Sequence, residues 1–251
     1  MLCEEALLTV ENGSVRYRNT DTSALDEVTL TFHKGEFVCI LGKTGAGKST
    51  LIRTLNGLQA LTEGDIRYNG STFRQLDREG LRSKRKTMGM IFQHHQLIPR
   101  LTVLQNVYTG LFGSRSTFRN LAGLFNEEEK KLAMDVIDQV ELLPHLNKRV
   151  DLLSGGQRQR VGIARALVQT PDVFLGDEPV ASLDPGTANR IFQLIQRLHQ
   201  ERNLLTIINV HDVKLAKRYA TRIVALKEGR VVFDDQPEAL TEELEDMLYE
   251  I

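Results

Sequence analysis

Gly42-Lys43-Thr44-Gly45-Ala46-Gly47-Lys48-Ser49-Thr50 follows directly on the apolar run Phe37-Val38-Cys39-Ile40-Leu41. The order strand, glycine-rich loop, helix decides the fold. The glycines let the backbone turn tightly and aim several N–H groups inward, and the start of the next helix adds its partial positive charge to the same concavity. That is a seat for a polyphosphate. Lys48 reaches the β- and γ-phosphates as a point charge, and the Ser49 hydroxyl is suited to ligate Mg²⁺. A turn that merely caps a helix seldom carries all of G-x-x-x-x-G-K-S behind an apolar strand. The loop alone implies a nucleotide and leaves its purpose open, since kinases, GTPases and motor ATPases share it.

Composition narrows the class around that loop. The chain has 251 residues, 41% of them hydrophobic, enough to bury a full core as one α/β domain with a smaller subdomain attached. Its 32 basic and 33 acidic residues leave a net charge of -1, so no global field draws in nucleic acid or an anionic membrane, and nucleic acid is not expected as a partner. Cys3 and Cys39 lack metal-ligand spacing and are expected to be free thiols in a reducing compartment. Met1-Leu2-Cys3-Glu4-Glu5 has no basic region before a long apolar core, and no run approaches the ~20 residues that span a bilayer. If the protein serves a membrane, it is expected to do so from the cytoplasmic side, through another chain.

Periodicity fills in the rest. Leu8, Val10, Val15, Tyr17, Val28, Leu30 and Phe32 alternate at period two, predicting an antiparallel β layer ahead of the loop. Gly64 to Gly70 predicts a short strand. Leu81-Arg82-Ser83-Lys84-Arg85-Lys86 reads as a solvated basic turn before the strand at Met88; no aromatics interleave the charges as nucleic-acid binding would require. Leu101 to Leu143 is helical in character, with Leu132, Val136, Ile137 and Val140 at helical spacing behind the acidic start Glu127-Glu128-Glu129. A helix from about Gly155 to Gln169 stops before Pro171, and strands alternate with helices from there. Leu205 to Val210 suits a parallel strand buried on both faces, and Ile223 to Phe233 a terminal hairpin. Leu240, Leu244, Met247, Leu248 and Ile251 share one face of a last acidic helix, expected to dock on its own domain.

Leu153-Ser154-Gly155-Gly156-Gln157 is a second anchor. Ser154 with two glycines at a helix start offers hydroxyl and N–H donors to an anion. This stretch resembles the signature motif of the ATP-binding-cassette family, whose ATPases use it to contact the nucleotide held by the opposite subunit. With Lys48 already in the phosphate loop, the resemblance implies a head-to-tail dimer of two copies with two ATP molecules sandwiched between facing motifs. Val173-Phe174-Leu175-Gly176 ending in Asp177-Glu178 resembles the Walker B motif. Asp177 would hold Mg²⁺ at a strand's carboxyl end, and Glu178 would act as general base.

Four further positions match the family in order. Gln93 stands where its glutamine loop contacts metal and water and faces the membrane subunit. Ser182-Leu183-Asp184 matches the loop that crosses the dimer interface, His211 the switch histidine on the γ-phosphate, and Tyr17 the aromatic that stacks on adenine. His94 and His95, being adjacent, are not expected to form a metal pair. The implied fold is a P-loop NTPase core with a mainly parallel sheet, an N-terminal antiparallel β layer and an inserted α-helical subdomain. As one domain over 1–251, about 1–86 and 160–251 form the core and 87–159 carry the glutamine loop and helical subdomain.

The resemblance has a finer grain. Phe92 to Leu101, Asn106-Val107, Thr109-Gly110, Ser116 to Phe125 and Asp177 to Pro185 are similar to the phosphonate-importer branch, while Gly176 and Arg158 depart from the common Ala and Gln away from the reacting groups. The expectation is an ATPase subunit, peripheral on the cytoplasmic face of the cell membrane, energising uptake of a phosphonate or related phosphorus oxyanion. It would act through transmembrane permease subunits and, indirectly, a periplasmic solute-binding protein. An importer ATPase for an amino acid or metal complex is the nearest alternative. A non-transport ATPase of the family would be expected to carry a long coiled-coil insertion or a second cassette, whereas between Lys48 and Ser154 this chain has room only for a subdomain.

Overall fold

The computed structural model describes residues 6–17, 22–92 and 96–249. The chain opens with β1 (Leu8–Arg16) and β2 (Ser23–Phe32), then β3 (Phe37–Leu41), and α1 (Lys48–Leu55) leaves the phosphate loop. β4 (Glu63–Tyr68), β5 (Ser71–Thr72), α2 (Arg78–Arg85) and β6 (Met88–Ile91) follow. Three helices come next, α3 (Val103–Thr109), α4 (Thr117–Leu121) and α5 (Glu127–Gln139). The chain then runs through α6 (Gly155–Leu167), β7 (Val173–Gly176), α7 (Pro185–Arg202), β8 (Leu205–Asn209) and α8 (Val213–Tyr219). β9 (Arg222–Lys227), β10 (Arg230–Asp235) and α9 (Glu242–Tyr249) close it.

Two sheets organise these elements. An antiparallel sheet in the order β2-β1-β4-β5 is the expected β layer. The second, in the order β10-β9-β3-β8-β7-β6, is parallel except at β10, which pairs antiparallel with β9 as the expected terminal hairpin. Every residue of β3 is buried, which is why it reads as an unbroken apolar run rather than an alternation. Phe37, Cys39 and Leu41 join a core shared with α3, α5, α6 and α7, whereas Val38 and Ile40 join one shared with α1 and the antiparallel sheet. The central sheet is therefore packed on both faces. Full burial of each such Val, Leu, Ile or Phe contributes about 1.5–3 kcal/mol, so β3 is a rigid base for the loop that follows.

The helices are set by their caps. α5 begins at Asn126, whose side chain accepts from Glu129 N–H while Glu129 reaches back to Asn126 N–H, a reciprocal cap. Val136, Ile137 and Val140 are buried as their spacing predicts. The basic run at 81–86 departs from expectation. It lies in α2 rather than in a turn, because Asp77 caps the helix through Gly80 N–H and the cations Arg82, Lys84 and Arg85 fall in the last turn, where the helix dipole favours them.

α9 docks on its own domain, as its apolar face implies. Leu248 is buried, Lys227 Nζ donates to the Met247 carbonyl at 3.2 Å, and Lys217 pairs with Glu245. Met247 is exposed on the outer side, and Ile251 lies outside the described residues. Cys39 is a free thiol whose pKa burial pushes up; Cys3 lies outside the described residues. Among the described residues no helix is long and apolar enough to cross a membrane.

Candidate active site

The parallel strands deliver their carboxyl ends to one edge, and the chemistry collects there. β3 runs into the phosphate loop, where α1 starts at Gly47 with left-handed backbone, φ 103°. The Lys48 side chain folds back along the loop. Its Nζ donates to the Gly42 carbonyl at 2.7 Å and to the Lys43 carbonyl at 3.0 Å. Burial lowers its pKa, while Glu178 and Asp177 act in the opposite direction by favouring the ammonium. An ammonium held in that curve is a fixed positive charge for a phosphate to meet.

β7 ends beside it. The Asp177 carboxylate is 1% exposed and fully engaged: Ser49 Oγ donates to Oδ1 at 2.7 Å, Asn209 Nδ2 to Oδ1 at 3.0 Å, and Arg53 Nη2 to Oδ2 at 3.3 Å. Two elements, α1 and β8, thus converge on one acid at the end of β7. Asn209 and Arg53 have no place in the sequence reading. Asn209 carried a signal, a single amide closing the buried, β-rich run Leu205 to Ile208; Arg53 carried none, being an ordinary basic residue in the last turn of α1.

The Ser49 hydroxyl and Asp177 carboxylate are hard oxygen donors in contact, the set that suits Mg²⁺, which uses one or two carboxylates and completes its shell with substrate phosphates and water. Among the described residues no cluster of three or more His, Cys, Asp or Glu side chains could hold a metal alone. An ion here would draw further ligands from the nucleotide and water.

Glu178 follows with φ 52°, a left-handed backbone that costs a non-glycine residue about 1–3 kcal/mol and tends to mark working positions. Its Oε1 lies 2.6 Å from His211 Nε2. An ionised carboxylate only accepts, so the proton on this bond sits on His211. Both side chains line a cleft of about 460 Å³ with Tyr17, Thr44, Gly45, Gly47, Lys48, Ser49 and Thr50. Tyr17 is half-exposed at its mouth, with its hydroxyl 3.3 Å from Thr50 Oγ1. Gly42, Lys43 and Ala46 complete the loop, and Ala46 O accepts from Gly229 N–H in the β9–β10 turn.

A second cleft, of about 450 Å³, contains Ser154, Gly155, Gly156 and Gln157 together with Ser182, Leu183 and Asp184. Ser154 caps α6, accepting from Gln157 N–H at 3.3 Å, and Gln157 Oε1 accepts from Ser154 N–H at 3.0 Å. Asp184 caps α7 through Thr187 N–H. The two clefts share no lining residue among those described, so the structure gathers the predicted residues into two groups and not one. Gln93, His94 and His95 lie outside the described residues.

A phosphate loop closing one parallel strand, an Asp-Glu pair closing another and a histidine beyond a third define a P-loop nucleoside triphosphatase. Residues 25–181 match the ABC transporter family, and the chain belongs to it. The phosphonates import ATP-binding protein PhnC of Bdellovibrio bacteriovorus is 46% identical over 244 residues, covering 97% of this chain and 93% of its own. That of Wolinella succinogenes is 47% identical over 236 residues, covering 94% and 86%. Among solved structures, the dimeric post-hydrolysis state of the ATP-binding cassette MJ0796 bound to ADP and Pi is similar with a TM-score of 0.80 and 34% identity, over 92% of this chain and 98% of that one.

Proposed function

We propose that this chain is the ATP-hydrolysing subunit of an ABC importer that takes up phosphonate or a related phosphorus oxyanion through a separate membrane permease. The observation that carries the solute class is the likeness, along nearly the whole chain, to relatives named phosphonates import ATP-binding proteins. The separation of the two clefts supports the dimer: the Ser154 cleft is not lined by its own Lys48, which leaves it to meet the nucleotide of a second copy. The dimeric ADP-bound cassette it resembles supports the same reading.

In this reading ATP lies on the phosphate loop, with Tyr17 against the adenine and Gly42 to Thr50 around the phosphates. Lys48 holds the β- and γ-phosphates, and Ser154 to Gln157 of the second copy close over the γ-phosphate. Glu178 takes a proton as the water oxygen attacks the γ-phosphorus and the bond to the β–γ bridging oxygen breaks. His211 holds Glu178 through its Nε2–H before the nucleotide arrives, and in the closed state turns that N–H to the γ-phosphate as charge develops. Ser49, Asp177 and Gln93 would hold Mg²⁺, which supplies charge neutralisation on the phosphates when bound.

Residues 87–159 carry the glutamine loop and helical subdomain, with β6 remaining a strand of the central sheet. Their movement against the core passes the ATP cycle to the permease at the cytoplasmic face of the membrane, with a periplasmic solute-binding protein upstream. The test is solute-stimulated ATP hydrolysis by the reconstituted complex, comparing methylphosphonate, phosphite, phosphate and an amino-acid panel, with Glu178→Gln as control. Stimulation by a phosphonate or phosphite, lost in the variant, is expected. Hydrolysis stimulated only by an unrelated solute overturns the solute class and leaves the ATPase standing.

A further inference from the structure

The signature cleft contains a side chain that the hydrolysis chemistry does not use. His145 ends the short turn Leu143–His145, and its Nε2 lies 2.9 Å from Nε2 of Gln157. The oxygen of that same amide is already taken, accepting from the Ser154 backbone N–H at 3.0 Å. A primary amide has fixed polarity, so the nitrogen facing His145 can only donate. The imidazole must answer with a lone pair at Nε2, which places its proton on Nδ1 and makes it neutral.

We propose that His145 is a positioning residue for the signature motif: it fixes the Gln157 amide that caps Ser154, and does so only while the imidazole is unprotonated. The inference rests on the sandwich dimer proposed above, in which Ser154 and Gly156 meet the triphosphate of the second copy. A proton on Nε2 sets N–H against N–H. The amide then turns to offer its oxygen to the imidazolium, and the Ser154 N–H loses its acceptor. The reciprocal cap opens and the start of α6 is no longer held in register with the phosphate it should meet.

The other charged groups of the cleft have partners of their own. Glu141 pairs with Arg160, Asp184 accepts from Thr187 N–H, and Arg190 Nη2 donates to Thr187 Oγ1 at 2.8 Å. Neither carboxylate is thereby committed to the imidazole.

The test uses the full chain carrying Glu178→Gln, which should trap the ATP dimer, with His145 intact or changed to Gln or Leu. ATP is titrated at about pH 8 and about pH 6, on either side of the usual imidazole range, and dimer formation is read by light scattering. A fluorescent ATP analogue binding to the monomer reports the Lys48 cleft, which His145 does not line. At the higher pH, His145→Gln keeps an acceptor at similar reach and should dimerise as the parent does. At the lower pH it should lose less than the parent. At the higher pH His145→Leu should raise half-saturating ATP by about 2- to 12-fold over the parent, the span of one lost hydrogen bond, and by less at the lower pH, where the parent has lost the same bond, with monomer binding unchanged.

Dimerisation of the Leu variant at the parent's ATP concentration at the higher pH overturns the proposal. So does an acid loss in the Gln variant equal to the parent's, or equal weakening of monomer binding and dimerisation in the Leu variant, which marks a general structural defect. Failure of the parent itself to dimerise at the higher pH overturns the sandwich reading and this inference with it.

Discussion

Alanine at Gly47 and alanine at Gly45 should separate the stability of the phosphate loop from its chemistry. Gly47 has φ +103°, and a Cβ there would lie 2.4 Å from the Ala24 carbonyl oxygen and 3.1 Å from Leu25 Cδ2. Neither neighbour can swing aside, because Ala24 contributes backbone from within β2 and Leu25 is fully buried. Left-handed backbone costs an L-residue about 1–2 kcal/mol, and overfilling a packed site about 1–3 kcal/mol. Gly47→Ala should therefore lose about 2–5 kcal/mol, a large share of the about 5–15 kcal/mol that holds a domain folded.

Gly45 also has positive φ, +87°, but nothing lies within 4 Å of its Cβ position, and it lines the nucleotide cleft. Gly45→Ala should lose only the backbone contribution of about 1–2 kcal/mol, while its methyl occupies space at the phosphate seat. Urea unfolding gives the two stabilities, provided the slope with denaturant is unchanged, and ATP titration gives the two affinities. The Gly47 variant should be the less stable, and the Gly45 variant should keep its fold and lose nucleotide. Equal destabilisation of the two, or less than about 1 kcal/mol at Gly47, would refute the steric argument.

Glu178→Gln should lower kcat by about 10²- to 10⁴-fold while ATP binding persists, read by hydrolysis rate against nucleotide titration; a rate within a factor of a few of the parent removes Glu178 from the role of base. Tyr17→Ala should raise the KM for ATP by about 5- to 150-fold, the value of one stacked base at about 1–3 kcal/mol, whereas Tyr17→Phe should not; equal loss in both would place the contribution in the bond to Thr50. The Thr187 hydroxyl and N–H hold the Asp184 carboxyl below its ordinary pKa. Its folded value lies below its unfolded one, so the stabilisation is fully present above the unfolded value and is lost as pH falls through the folded value. The gap in urea midpoint between the parent and Asp184→Asn should accordingly close below about pH 4, and a gap that stays constant into acid would show that the charge contributes nothing.

Features set by neighbours in sequence were legible before the structure. The phosphate loop, the Asp177-Glu178 pair and the Ser154 cap each lie within one strand-to-loop or loop-to-helix junction, where a fixed order of residue types dictates local geometry. The strands buried on both faces were equally plain, since two apolar faces leave an unbroken run such as Phe37 to Leu41. The basic segment at 81–86 misled because its composition suits solvent, and solvated charge says nothing about backbone. The deciding group, Asp77, stands outside the run it caps.

The unread part of the site consists of contacts between residues far apart in the chain. Arg53 and Asn209 reach Asp177 from 124 and 32 positions away, and His145 reaches Gln157 from 12. No periodicity or motif registers such a meeting, because its cause is the strand order that places β8 beside β7 and packs the turn at His145 against the start of α6. Position alone does not make these side chains interchangeable with others of their polarity. A buried carboxylate at a strand end needs donors that cannot withdraw into water, and Asn209 within a rigid parallel strand meets that need better than a long flexible cation. The half-exposed Arg53 adds charge from the solvent side, where screening leaves it worth less. Loss of the Asn209 amide should therefore disturb Asp177 more than loss of the formally stronger Arg53 pair, because burial rather than charge decides which of the two bonds water can replace.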